Sequence, residues 1–144
     1  MRVNVTTEIA APIDRVWRAL TVIDQVRAWD GVVAHDVPED YPAPGQHARW
    51  RSAFGPLQLM LHDRIVDVDE NRRFRSLIDI AFIRVDEEYL LSSNEPGVTT
   101  LVTNDQVHSR IPGLGWLAVL LTRANVHDSM SRLKAYCELV PPSP

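Results

Sequence analysis

"GLGWLAVLLTRANVHDSMSRLKAYCEL", residues 113–139, decides the fold, because it reads as one long helix that could cover a whole sheet. "IPG" at 111–113 breaks what precedes it, and the helix is expected from about Leu114 to Leu139. Its second half is amphipathic: Val126, Met130, Leu133 and Cys137 fall on one stripe, with Arg132, Lys134 and Glu138 off it. The stretch that opens it, "IPGLGWLAVLL" (111–121), has eight apolar residues in eleven even with glycine and proline set aside. That is about half the roughly 20 apolar residues needed to span a bilayer, and polar "TRANVHDSMSR" follows, so no membrane span is expected. Three readings stay open for this stretch. It is a lid whose Trp116, Leu117, Leu120 and Leu121 touch a ligand, a helix start buried in the core, or a partner surface such as a homodimer interface.

Working outward from that helix, the preceding chain supplies the sheet. Residues 31–109 read as a run of strands split by short turns. Ala48, Trp50, Ser52 and Phe54 alternate against His47, Arg49 and Arg51; "GP" at 55–56 turns the chain. Leu57, Leu59, Leu61 and Ile65 then share a face opposed by Gln58, His62 and Arg64, before a turn at "DENR" (69–72). Phe74, Ser76, Ile78 and Ile80 form the next inner set, then Val85, Glu87, Tyr89 and Leu91, and after "SNEPG" (93–97) Leu101, Thr103, Asp105 and Val107. Short turns imply antiparallel pairing, with one face packed and the other wet. At the amino end, Val3, Val5, Thr7 and Ile9 read as a half-buried strand. Two short helices follow. The first starts with Pro12 at its first position and buries Ile13, Val16, Trp17 and Leu20; the second spans about Ile23 to Trp29. The expectation is one α+β domain over residues 1–140, with about seven antiparallel strands around the long helix and an irregular tail at 141–144.

Composition narrows the role. The chain has 144 residues, is 45% hydrophobic and 24% charged, and carries a formal net charge of -4, which suits one globular domain and argues against a general nucleic-acid binder. Its single cysteine, Cys137, allows no internal disulfide and no cysteine metal cluster. His35, His47, His62, His108 and His127 show no spacing that places two imidazoles on one metal, so no metal is expected. Glycine-rich phosphate loops and nucleophile elbows are absent, and no cofactor is indicated. "MRVNVTTEIAAP" lacks the apolar core of a secretory signal, so a cytoplasmic protein is expected.

The inward polar residues are the chemical candidates. If the strand faces are right, Asp63, Glu87, Tyr89, Thr103 and Asp105 point toward the helix, where burial raises a carboxyl's pKa toward general acid–base use. Alternatively a bulge returns them to water, or Arg110 and Arg123 pair with them. Arg49, Arg51, Arg64, Arg73 and Arg75 on the other face are expected to pair across strands with Asp67, Asp79, Asp86 and Glu88.

The order of elements, with "VTTEIAAPIDRVWRALTVIDQVRAW", "RIVDVDENRRF" and the long helix quoted above, resembles the START-like helix-grip (SRPBCC) superfamily. Within it the chain is most similar to bacterial polyketide cyclase/dehydrase and lipid-transport proteins. The usual proline of the central turn is replaced here by Asp69 to Arg72. The resemblance implies a curved sheet gripping the terminal helix, with a cavity between them for apolar or polycyclic ligands. Trp50, Phe54, Leu59, Leu61, Ile78, Tyr89, Leu101, Thr103, Trp116, Leu120, Arg123 and His127 would line it. The expected role is binding of an apolar or amphipathic small molecule. The alternatives are a cyclase or dehydratase using Glu87 or Asp105 with Tyr89 or His127, and an interaction module whose own side chains fill the interior.

Overall fold

A computed structural model describes residues 1–54 and 56–139, apart from the side chain of Phe54. The expected tail therefore lies outside the described residues. In chain order the elements are β1 (Arg2–Ile9), α1 (Ile13–Thr21), α2 (Ile23–Asp30), β2 (Val33–Asp36), β3 (His47–Phe54), β4 (Leu57–Asp69), β5 (Arg73–Ile80), β6 (Ile83–Glu95), β7 (Val98–Ser109) and α3 (Gly115–Leu139). All strands pair antiparallel in one seven-stranded sheet of order β1-β7-β6-β5-β4-β3-β2. This is a helix-grip fold, with the two short helices inserted after the first strand.

Local chemistry sets the boundaries. Pro12 caps α1 from one position earlier than expected: its φ of -62° would suit a helix, but its ψ of 151° is extended, and its carbonyl accepts from Arg15 and Val16. α2 runs one residue past Trp29 and ends at Gly31, whose φ of 78° is the left-handed conformation that glycine adopts without a Cβ penalty. Leu114 lies just outside α3 and accepts its first hydrogen bond, from Ala118. β2 is short, and its segment has no periodicity strong enough to have marked it in the sequence.

The alternating faces hold through the middle of the sheet. Ile65, Phe74, Val85, Leu91, Leu101 and Val107 are buried toward α3, whose stripe of Ala118, Thr122, Val126, Met130, Leu133 and Cys137 is buried against them. Register shifts fall between Ile65 and Asp67 in β4 and between Ser92 and Glu95 in β6. Both begin beyond the paired positions Asp63–Ile78, Glu87–Asp105 and Tyr89–Thr103, so Asp63, Glu87, Tyr89, Thr103 and Asp105 stay on the inner face. On the outer face Arg73 pairs with Asp67 and Glu88 and Arg75 with Asp86, as expected, whereas Asp79 pairs with Arg84 and Arg110, and Arg49 with Asp36. Arg110 is thus engaged outside rather than with the inner carboxyls. Among the described residues no helix is long and apolar enough to cross a membrane.

Candidate functional site

Between the sheet and α3 lies a cavity of about 620 Å³. Leu61 of β4, Ile78 and Ile80 of β5, Ile83 and Val85 of β6 form its apolar floor. Leu121, Val126 and Met130 of α3 supply the roof, and Trp29 to Val32, at the end of α2 and just past it, form a rim. A smaller hollow of about 80 Å³ shares Ile78, Glu87 and Tyr89 with it and extends beneath Tyr41, Trp50, Asp63 and Phe74. Protein interiors hold few voids larger than a water molecule, and ligand pockets occupy roughly 300–1,000 Å³. The space between sheet and α3 is therefore on the scale of a small molecule.

Strand register assembles the polar part. Glu87 stands opposite Asp105 on β7 and Ser76 on β5; Tyr89 stands opposite Thr103 and Phe74. Asp105 is 1% exposed, and neither of its carboxylate oxygens has a well-formed hydrogen bond. The carboxyl of Glu87 is close enough to share a proton with it. Burial, followed by the charge of Asp105, pushes Glu87 well above the usual carboxylate range; burial likewise raises Asp105. The surface that half-buried Glu87 retains faces the cavity, so its carboxyl is removed from bulk water. Asp63 is raised to about 7, first by burial and then by the charge of Glu87, against the polar hydrogens of Ser76, Tyr41 and Trp50. One of its oxygens, Oδ1, also lacks a partner. Burial raises the Tyr41 and Tyr89 phenols well above their ordinary value, so both keep their protons. Thr103 Oγ1 donates to Met130 Sδ at 3.3 Å, tying β7 to α3 beside the pair.

The rim is held by Arg132. Its Nη1 donates to the Asp30 carbonyl at 2.9 Å, and its guanidinium lies 3.8 Å from the Asp30 carboxylate and 3.1 Å from that of Asp128. Burial raises the Asp30 pKa, with Arg132 acting against it.

Of the residues expected to line a cavity, Leu61, Ile78, Tyr89 and Thr103 border the large one together with Glu87 and Asp105, and Trp50 borders the small one. Leu59 borders neither, and Leu101 is wholly enclosed in the core. The side chain of Phe54 lies outside the described residues. Trp116 and Leu120 are 63% and 54% exposed, and Arg123 and His127 are exposed as well, so none of the four reaches the cavity. The reason is helical phase. The buried stripe passes through residues 118, 122, 126 and 130 in steps of four, which leaves 116 and 120 on the opposite face and 123 and 127 about 100° to one side. Leu121 alone of the proposed lid residues touches the cavity. Asp30, Tyr41 and Arg132 were not visible as site residues: two lie where no periodicity marks an inner face, and the third lies off the apolar stripe. The single hint was Gly31, a helix stop that places Asp30 at a rim.

A helix-grip scaffold with a hollow between sheet and terminal helix defines the class of protein. The chain belongs to the polyketide cyclase/dehydrase and lipid transport family, whose model matches residues 1–138. No curated protein matches the sequence. Among solved structures it is similar to protein CV1439 from Chromobacterium violaceum, at 18% identity over 99% of both chains with a TM-score of 0.77. A START superfamily protein from Mycobacterium smegmatis superposes with a TM-score of 0.79 at 13% identity, over 97% of this chain and 99% of that one. Protein Ms6760 from the same organism gives a TM-score of 0.75 at 19% identity, over 93% and 88%. At these identities the likeness is one of fold.

Proposed function

We propose that this protein binds an apolar or amphipathic small molecule between its sheet and α3. The observation that carries the reading is the aliphatic cavity of about 620 Å³ with a pair of carboxyls in its wall. Burial of ligand surface there supplies affinity at about 25 cal/mol per Å² before ordering costs, and the few polar groups orient the ligand. Native mass spectrometry of freshly purified protein, followed by identification of whatever denaturation releases, tests it. A bound apolar molecule is the expected result. An empty protein that also takes up no hydrophobic dye sinks the reading.

One observation favours a second reading, a cyclase or dehydratase acting on a polyketide-like chain. Asp105 is a buried carboxyl whose one donor is the proton shared with Glu87, itself raised in pKa, and such a pair is suited to taking and returning a proton near neutral pH. Protonated Tyr89 would steady the charge that develops. On this reading turnover shows a bell-shaped pH profile, and Glu87→Gln lowers kcat by about 100-fold or more. Ligand binding with no product, at any pH, removes it.

A further inference from the structure

We propose that the ligand carries a basic nitrogen, so that an apolar body fills the cavity while an ammonium group sits against Glu87 and Asp105. This rests on the binding reading above and names its ligand class. The first support is the sign of the wall. Asp30, Glu87 and Asp105 border the large hollow and Asp63 the small one, whereas Arg132 is the one lysine or arginine bordering either among the described residues. Arg132 is already committed, at the rim, to Asp30 and Asp128. A ligand carboxylate would add a further anion to this group with no free cation to meet it.

The second support is the unmet need for donors. Apart from the one proton that Glu87 can share with it, Asp105, which is 1% exposed, has no donor for its two carboxylate oxygens, and a buried acceptor left without a partner is destabilising. The near neighbours supply little more: Glu87 brings a single proton for the four oxygens of the pair, and the Thr103 hydroxyl is turned to Met130. An ammonium group brings three donors and a charge of the right sign. Two carboxyls placed opposite each other across β6 and β7 hold one shared negative charge most readily, which matches a single cation. A metal ion fits less well. Calcium takes about 6–8 oxygen ligands, and among the described residues no three His, Cys, Asp or Glu side chains converge on a point. Beside the pair, Ile83, Val85, Leu121 and Val126 offer only hydrocarbon, so the rest of the ligand is apolar.

Three probes with one ring system and different head groups test this: naphthylmethylamine, naphthylmethanol and naphthoic acid, titrated calorimetrically into the whole protein near neutral pH. The amine is expected to bind roughly tenfold more tightly than the alcohol, as a charge-assisted hydrogen bond in place of a neutral one allows, with the acid weakest. In Glu87→Gln and Asp105→Asn the ratio of amine to alcohol affinity falls toward one. Alcohol binding equal to or tighter than amine binding in the wild-type protein overturns the basic nitrogen and leaves the cavity reading standing. Tightest binding by the acid does the same. If none of the three binds, the cavity reading fails and this inference fails with it. The wild-type series decides the question even if a variant does not fold.

Discussion

Asp63 and Asp105 show what the fold does to a single residue. Each is a carboxyl held away from water, with a pKa raised to about 7 chiefly by burial. The sign of the consequence follows from linkage. In the folded state these groups hold their protons, while in the unfolded chain they release them near pH 4. Their contribution to stability is therefore complete below about pH 4 and is lost as pH rises to about 7. Asp79 and Asp86, lowered by hydrogen bonds from Arg84 and Arg75, act in the opposite sense and lose their contribution as pH falls. Thermal melts between pH 4 and 8 should show stability declining toward neutral pH, and Asp63→Asn should flatten the decline. At pH 8 that variant should melt higher, by roughly 3–5 °C for each kcal/mol regained. A variant that melts lower at pH 8 would show that Asp63 is stabilised by its neighbours as an anion. Glu87, Tyr89 and Asp105 were legible as site residues because strand alternation is strict and no bulge intervenes. Tyr41 was not, since it comes from a loop whose position only tertiary contacts determine, here its edge-on contact with Trp50 at 5.6 Å.

At the scale of elements, α3 separates what sequence could place from what it could not. The second half announced its inner face through Val126, Met130, Leu133 and Cys137, all buried. In the first half nearly every residue is apolar, so hydrophobicity carries no phase, and nothing in the sequence separates a lid, a buried helix start and a partner surface at Trp116 and Leu120. Stepping back by fours from Val126 reaches Thr122 and Ala118, which are small but are the residues that α3 buries there. Two substitutions express the difference. Leu133→Ala, at a fully buried position, should cost about 2–5 kcal/mol in denaturant titrations. Trp116→Ala should change stability by only about 0.5 kcal/mol and leave ligand affinity unaltered, because its side chain faces solvent. A large loss of affinity in Trp116→Ala would restore the lid. The end of α2 offers a third case. Gly31→Ala places a side chain at a φ of 78°, with Arg132 Nη1 still at an ordinary 3.8 Å from the new Cβ. The cost is thus in the backbone, about 1–2 kcal/mol, and it falls on the rim that Asp30 and Arg132 form.

For the whole molecule, β1 forms one edge of the sheet by pairing with β7, the last strand before α3. The order of elements was readable from alternation, turn residues and one long helix, whereas the pairing of β1 with β7 was not, because it joins strands distant in sequence. Cavity volume was not, because it depends on how far α3 stands from the sheet. A ligand filling this space should raise the melting temperature in proportion to the logarithm of its concentration, by about 2.7 kcal/mol of added stability at 100 times its dissociation constant. A ligand that binds without moving the melting curve would have to bind the unfolded chain equally well. The strict alternation of β5, β6 and β7 has one more consequence, for how such a protein can be varied. In β6, residues 85, 87 and 89 face the hollow, while Arg84, Asp86 and Glu88 face outward, and all three are ion-paired to β5, with Asp79, Arg75 and Arg73 in turn. Ligand choice and strand pairing are thus set by different residues of the same strands. A library that varies only the inward positions can explore new ligands while the outward positions preserve the sheet.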